Sequence, residues 1–600
     1  MAETISHLLC RGLIAAGVDT LYCLPGVQND DFFNVLVDFP GLRPVVTRHE
    51  QGAAYMAAGA AQATGRPQAY CTVPGQGVLN AAAGHSTAFA TATRVFALVG
   101  QNRLSLIEQG HGLLHEIPDQ LSVLAQVSKH AVALRDPAAA PGQIAEALHR
   151  LVSGHPAPVA LECPLDLWTA PVEAVPTHEP TFPALDTDAI DRAANLLAGA
   201  ERPLIMLGGG AHAADGAIAE LVELLGAPVG ALRQGKGAYD ERRPLAVPGP
   251  VAHELWKTAD VVLGIGTRYS DFTTASRTAF QHPSVRFVNV NIAAFDAYKH
   301  GTELPIVADA RESLIALSAG LPRYRVDDAY AERIRREKAE WDVLVDASFE
   351  PSSRALPGQS EIIGAVHSST HPEDVIVQAA GSLPGDLHKL WRVRDPLGYH
   401  VEYAYSCMGY EIAGGLGVKR GLDALGDERD VVVMVGDGSF LMLSSELATA
   451  VAEKIKIIIV LIQNHGFASI GHLSETVGTE RFGTKYRAYD PEARNFQGDE
   501  RLPIDLAMNA RSFGIDVIEV DAGPRAIDDL KLAVATAKGS DRSTLIHINS
   551  DPLIYAPDGG GWWDVPVADV STLPSTQRAR DEYDANRGAQ RPLLGTEETR

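Results

Sequence analysis

The chain has 600 residues, 46% of them hydrophobic, and a formal net charge of −24. Such a length exceeds what one core usually holds and suggests about three or four domains, and the acidity argues against nucleic acid as a partner, since phosphate backbones demand clustered basic surface. The five cysteines are scattered and lack metal-ligand spacing, no apolar run reaches membrane-spanning length, and no basic region with an apolar core opens the chain, so the cytoplasm is the expected compartment.

Up to about residue 175, apolar strands such as Gln68 to Val73, Val95 to Gly100 and Val159 to Glu162 alternate with Ala-rich helices, the pattern of a parallel α/β domain. Cys23-Leu24-Pro25-Gly26 ends one apolar strand. Arg48-His49-Glu50 joins the strand-like run Pro44 to Thr47 to a helix, and Val73 to Asn80, with Gly75 inside it, forms a Gly-rich strand-to-helix turn. The Pro-rich stretch from Pro171 to Pro183 is expected as an extended linker. The α/β pattern restarts over residues 186–325, where Gly208 to Gly210 follow a strand without the full dinucleotide fingerprint and its acidic partner, so a structural turn is expected. A charged helix, Ala329 to Asp346, leads into a last α/β domain at 360–551, and a Gly-, Pro- and Arg-rich tail, 552–600, is expected to wrap the surface. The fold class is α/β, as three consecutive parallel-sheet domains.

The most informative stretch is Val431 to Phe440. An unbroken apolar run fits a strand buried on both faces of a parallel sheet, and polar residues at its carboxyl end stand where α/β sheets bind ligands. Gly436 and Gly438 permit a tight turn and close approach, while Ser439 and the start of a helix expected to run through Leu447 offer donors to an anion. A second strand, Ile457 to Ile462, brings in Asn464, 464 − 437 = 27 residues after Asp437. Both side-chain oxygens can therefore reach one hard cation such as Mg²⁺, beside a diphosphate.

This pattern resembles the thiamine diphosphate signature, which begins Gly-Asp-Gly and closes with Asn at this spacing. The resemblance implies that Asp437, Asn464 and the Gly466 carbonyl ligate Mg²⁺, with Gly436, Gly438, Ser439, Gly466 and Phe467 around the diphosphate. It further implies that Glu50 hydrogen-bonds the aminopyrimidine ring and assists proton removal from the thiazolium carbon, among loops contributing Pro25, Gly26, Gly75 and Asn80. A carboxyl is required there because the cofactor brings its own electron sink and leaves proton transfer and orientation to the protein. In the family, Ser382 and Leu383 line the cofactor and Met408 props it into its bent conformation. His388, His115 and Gln120 are placed near the substrate as catalytic groups, with Gln101, His111 and Lys389 nearby. The central domain of relatives holds FAD, ADP or nothing, so the resemblance does not by itself imply a flavin. The family's active sites lie between subunits, which implies a homodimer or homotetramer in which Glu50 and Asp437 meet across an interface.

The two halves point to different branches. Ala379 to Trp391, Ser406 to Gly415, Asn464 to Gly471 and Trp562 to Pro566 resemble the trihydroxycyclohexane-1,2-dione hydrolases of inositol catabolism. Asp19 to Gly26 and His115 to Gln120 are more similar to acetolactate synthase-type relatives. The leading expectation is an enzyme that cleaves a C–C bond beside a carbonyl of a small-molecule substrate, with a cyclic dione hydrolase first and a carboligase or 2-oxo-acid decarboxylase second. A regulatory protein that binds the cofactor without chemistry is the alternative of another class, opposed by the presence of Glu50, Asp437 and Asn464 together.

Overall fold

The computed structural model describes residues 3–173, 179–322 and 324–591. Eighteen strands form three parallel six-stranded sheets. The first holds β1 (Thr20–Cys23), β2 (Arg43–Val46), β3 (Gln68–Thr72), β4 (Val95–Gln101), β5 (His130–Ala133) and β6 (Val159–Pro164), in the order 2-1-3-4-6-5. The central sheet holds β7 (Pro203–Leu207), β8 (Val229–Ala231), β9 (Ala246–Val247), β10 (Val261–Ile265), β11 (Arg286–Asn291) and β12 (Leu304–Val307), in the order 12-11-10-7-8-9. The third holds β13 (Val375–Gln378), β14 (Tyr399–Val401), β15 (Val431–Gly436), β16 (Ile458–Gln463), β17 (Asp516–Val520) and β18 (Thr544–Asn549), in the order 14-13-15-16-18-17. The first and third sheets thus share one topology, as expected from their sequence patterns.

The strand sequences explain the arrangement. Runs such as Val431 to Val435 and Ile458 to Ile462 are buried on both faces because helices cover each side of a parallel sheet. Two cores are built within the central domain, around Leu263 and Trp256 respectively. The first and third domains have cores of their own around Trp168 and Trp391, and they also share one, in which Tyr55 and Met56 pack with Tyr410 and Val433. Helix Glu50–Thr64 lies so close to helix Tyr410–Ala424 that a Cβ on Gly59 would stand 2.3 Å from Gly414 O, and one on Gly417 only 2.1 Å from Met56 O. No residue but glycine fits either position without displacing backbone.

Several boundaries differ from the sequence reading. The linker from Pro171 to Pro183 lies partly outside the described residues, and its described ends are held to the first domain by Val172 N–H to Glu3 O (2.9 Å) and Thr181 N–H to Ser153 Oγ (3.0 Å). The helix after the Gly-Asp-Gly turn is broken: Asp437–Leu443 is followed by a 3-10 turn, Ser444–Glu446, and a new helix, Leu447–Glu453. The tail contains an unexpected helix, Pro574–Gly588, opened by its proline and polar on almost every face, with Thr576 buried. Without an apolar stripe it carries no periodic signal. The tail also crosses from the central to the third domain, through Gly559 O to His253 and Pro557 O to Lys389.

Candidate active site

Chain order creates a crevice of the same kind at the first sheet and at the third, termed the first and third crevices. In the first sheet the connections leave β1 and β3 in opposite directions, and in the third sheet they leave β13 and β15 so; such a switch point opens a cleft at the strand ends.

At the first crevice the structure gathers seven of the singled-out residues. Glu50 is the first residue of its helix and is 2% exposed. Its Oε2 accepts a 3.1 Å hydrogen bond from Asn80 Nδ2, while Oε1 is buried with no partner. Gly26 lies where a Cβ would be 2.3 Å from Val73 Cγ1, bringing Pro25 and Gly26 onto the turn after β3. Gly75, at φ +60°, would place a Cβ 2.1 Å from His115 O, so only glycine allows this approach.

Gln120 has a different task from the catalytic one expected of it. Its Oε1 accepts the Gly75 N–H (2.7 Å), and its Nε2 donates to Gly100 O and to Glu162 Oε2 (2.8 Å). Gln101 also donates to Glu162, and Arg135 pairs with it at 2.6 Å. With both amide hydrogens donated and Oε1 holding the Gly75 N–H, Gln120 braces the Gly75 turn. His115 is half-buried at φ +65° with Nδ1 unpartnered, and His111 is exposed.

At the third crevice Asp437 is buried beneath the turn. Its Oδ2 accepts from the N–H groups of Asn464 (3.1 Å), His465 (2.7 Å) and Gly466 (3.3 Å), and Oδ1 from Gly438 N–H (2.9 Å). Burial pushes its carboxyl up to about 6, against these backbone donors, which favour the charged form. Asn464 Oδ1 is buried without a partner. Phe467 packs over Gly438, where a Cβ would meet its ring at 2.8 Å.

Ser439 does not present its hydroxyl to the crevice. Oγ donates to Glu411 and accepts from Gly409 N–H at 2.7 Å, because the left-handed Gly409 (φ 93°) needs anchoring where helix Tyr410–Ala424 begins. This bond sets Met408, half-buried one residue earlier, beside the turn. Ser382 hydrogen-bonds Gln359 (3.0 Å) just before helix Leu383–Leu390, and the Leu383 side chain turns into the core.

His388 is the clearest departure. The sequence places it near a substrate, whereas the structure buries it against the central domain, its Nε2 2.8 Å from where a Cβ on Gly249 would stand. Burial holds its imidazole well below the usual histidine range, with Arg233, Lys236 and His253 adding to the effect. Its ring is therefore fixed by packing against the central domain, and its Nδ1 is buried without a partner. Lys389 is likewise engaged, with Asp386 and Pro557 O.

Three buried glutamates went unnoticed in the sequence. Glu446, from the 3-10 turn, accepts the N–H groups of Arg48 (3.1 Å) and His49 (2.9 Å), tying the segment before Glu50 to the third domain. Glu411 braces Ala380 N–H and Ser439. Glu402 accepts from Tyr405 and Cys407 N–H, and burial raises its carboxyl to about 7. Nothing local distinguishes these carboxylates from solvated ones in a sequence. Among the described residues no three His, Cys, Asp or Glu side chains cluster as a metal site.

One enzyme family matches the chain in three parts. Its N-terminal thiamine pyrophosphate-binding domain matches residues 3–123, its central domain 190–317 and its C-terminal thiamine pyrophosphate-binding domain 379–548. The chain belongs to the thiamine pyrophosphate enzyme family. Within that family it is 35% identical over 418 residues to 3D-(3,5/4)-trihydroxycyclohexane-1,2-dione hydrolase of Bacillus cereus (strain AH820), and 34% identical to the hydrolase of the same name from Bacillus thuringiensis (strain Al Hakam). Each alignment covers 64% of this chain and 63% of the relative, so the match spans under two thirds of those proteins. Benzoylformate decarboxylase from Polynucleobacter necessarius has the same fold, with a TM-score of 0.76 at 19% identity over 92% of this chain and all of that one.

The central domain also has a switch point, between β7 and β10. There Gly208 N–H bonds Ile265 O (2.9 Å), Gly210 N–H bonds Gly266 O (3.2 Å), and a Cβ on Gly208 would stand 2.4 Å from Gly266 O. The three glycines let two loops touch, which accounts for them without a nucleotide. Among the described residues no helix is long and apolar enough to cross a membrane.

Proposed function

We propose that this protein is a thiamine diphosphate- and Mg²⁺-dependent enzyme that opens a cyclic 1,2-dione of the trihydroxycyclohexane type by adding water across a C–C bond. The observation that carries the chemistry is Glu50, a buried carboxyl fixed by Asn80 on one oxygen and unpartnered on the other. The likeness to the hydrolases supports the substrate.

The residues present fit the cofactor. Asn464 Oδ1, buried and unpartnered, and the Asp437 carboxylate are hard oxygen donors; one carboxylate, one amide and backbone carbonyls leave room for ligand oxygens and water, which suits Mg²⁺. Bound thiamine diphosphate supplies an electron sink for the bond beside a carbonyl. Glu50 Oε1 holds or gives a proton at a ring nitrogen, and Asn80 keeps the carboxyl from rotating. Met408 offers an apolar surface beside the turn, and Gln120 holds the Gly75 backbone in the geometry that lets the loops close.

A second copy of the chain completes the site. Val27, Leu79 and Leu114 around the first crevice, and Tyr405, Met442 and Phe482 around the third, are exposed apolar side chains suited to a subunit interface. In this arrangement Glu50 of one protomer faces Asp437 of its partner.

The test is incubation of the purified protein with thiamine diphosphate, Mg²⁺ and either trihydroxycyclohexane-1,2-dione or pyruvate. Ring opening without gas supports the hydrolase. Release of CO₂ from pyruvate with the dione untouched replaces it with the decarboxylase or carboligase reading.

A further inference from the structure

Arg233 is a partly buried cation with no counter-ion. It follows β8 in a 3-10 turn at φ +51°, a backbone region that side-chain-bearing residues seldom adopt, so the surrounding structure imposes its position. The guanidinium carbon lies 4.7 Å from the Phe272 ring centre and 4.5 Å from that of Tyr403, and these two rings are 5.0 Å apart. The three centres form a nearly equilateral triangle, so both rings lie to one side of the guanidinium. Trp563 of the tail packs on Phe272 at 5.0 Å and donates to Asp271 at 2.8 Å, which completes the aromatic wall.

Among the described residues the Arg233 side chain makes no hydrogen bond and no ion pair, and its Nη1 is buried without a partner. Neighbouring cations are neutralised: Lys236 pairs with Glu241 at 2.7 Å and Lys389 with Asp386 at 3.1 Å. His388 and His253 are held neutral, burial being the main cause and the charge of Arg233 a contributor. One positive charge is therefore left over. Cation–π contact is worth only about 0.5–2 kcal/mol and gives the buried Nη1 no hydrogen-bond acceptor, so an anion facing it would complete the site.

Its location says what completes it. Tyr403 stands on the segment from β14 to Met408, and β14 is the edge strand paired with β13. The guanidinium thus lies on the β14 side of the third sheet, against the segment that runs on to Met408 and the Gly409 turn bonded to Ser439. A planar fork of donors matches a carboxylate bidentately, and a single surplus charge matches a monoanion better than a phosphate dianion.

We propose that Arg233 is the carboxylate-binding residue of the substrate pocket, taking either the carboxylate of an incoming 2-oxo acid or the one formed when water opens a cyclic dione. This deepens the functional reading above and rests on the third crevice being the active site.

The test is chemical footprinting of the full-length protein, with and without thiamine diphosphate and Mg²⁺: phenylglyoxal modification of Arg233, followed by mass spectrometry, needs no turnover. Pyruvate is expected to protect Arg233 if the carboxylate arrives with the substrate, and methyl pyruvate, which lacks the charge, is not. If the carboxylate is the hydrolysis product, the ring-opened acid protects instead. Arg233→Met is expected to raise the KM or inhibition constant of the protecting acid roughly ten- to a hundredfold, and Arg233→Lys, which keeps charge without the fork, is expected to recover only part. Absence of protection by either acid overturns the inference, even where the dione is opened normally. Protection without turnover of dione or pyruvate leaves Arg233 as an acid-binding residue and sinks the functional reading instead.

Discussion

Asn80 Nδ2 donates to Glu50 Oε2 at 3.1 Å, and Glu50 Oε1 faces no partner although the residue is 2% exposed. A carboxyl so held has one oxygen for orientation and one for exchange. Glu50→Gln is expected to fold normally and lower kcat by about 10² to 10⁴, the range for losing a positioned proton carrier. Asn80→Ala frees the carboxyl to rotate and is expected to lie between that variant and the native enzyme. Turnover beside circular dichroism checks both, and near-native turnover of Glu50→Gln refutes the assignment.

The proposed magnesium dependence carries a pH signature. Asp437 binds a cation only when ionised, and burial raises its carboxyl from 3.8 to about 6. Apparent Mg²⁺ affinity is expected to be flat above about 6 and to fall roughly tenfold per pH unit below it. Removal of metal by a chelator is expected to abolish activity, and Mg²⁺ to restore it. Titration at a series of pH values measures the slope, and a pH-independent affinity excludes Asp437 as a ligand.

Subunit mixing tests the shared site. Glu50→Gln and Asp437→Asn chains are each expected to be inactive as homodimers. Half of a randomly assorted equal mixture is heterodimer, with one of its two sites intact, so about a quarter of native activity returns. No recovery after exchange of subunits places both residues in one chain's site.

Glu402 affects stability with the opposite sign to a paired carboxylate. Its folded value is raised from 4.5 to about 7, so the folded state binds the proton more tightly than the unfolded one. The contribution is fully present below 4.5 and is lost as pH rises through 7. Glu402→Gln, which stays neutral, is expected to gain Tm relative to the native protein as pH rises across that window. A constant difference in thermal melts contradicts this.

Much of the site was legible because its signals are local. A glycine-flanked carboxylate after an apolar strand, and an amide after the next, are sequential neighbours of the elements that place them, so Asp437 and Asn464 could be paired on paper. The three sheets followed from alternating apolar runs, and the first and third were recognised as one kind of unit. What was hidden depends on contacts between distant segments. Glu446 reaches Arg48 across nearly 400 positions, and the face of its helix that buries His388 is set by the central domain, not by its own sequence. Ser439 looked like a phosphate donor because its neighbours were visible and Glu411 was not.

The core that Tyr55 and Met56 build with Tyr410 and Val433 belongs to two domains whose sequences lie on either side of a third. Neither can lose its packing without exposing apolar surface of the other, so heating should melt them in one cooperative transition although the whole central domain lies between them in the chain. The central domain, with two cores largely its own, is free to melt at a different temperature. In calorimetry the units of unfolding would then be discontinuous in the chain: its two ends together, its middle apart.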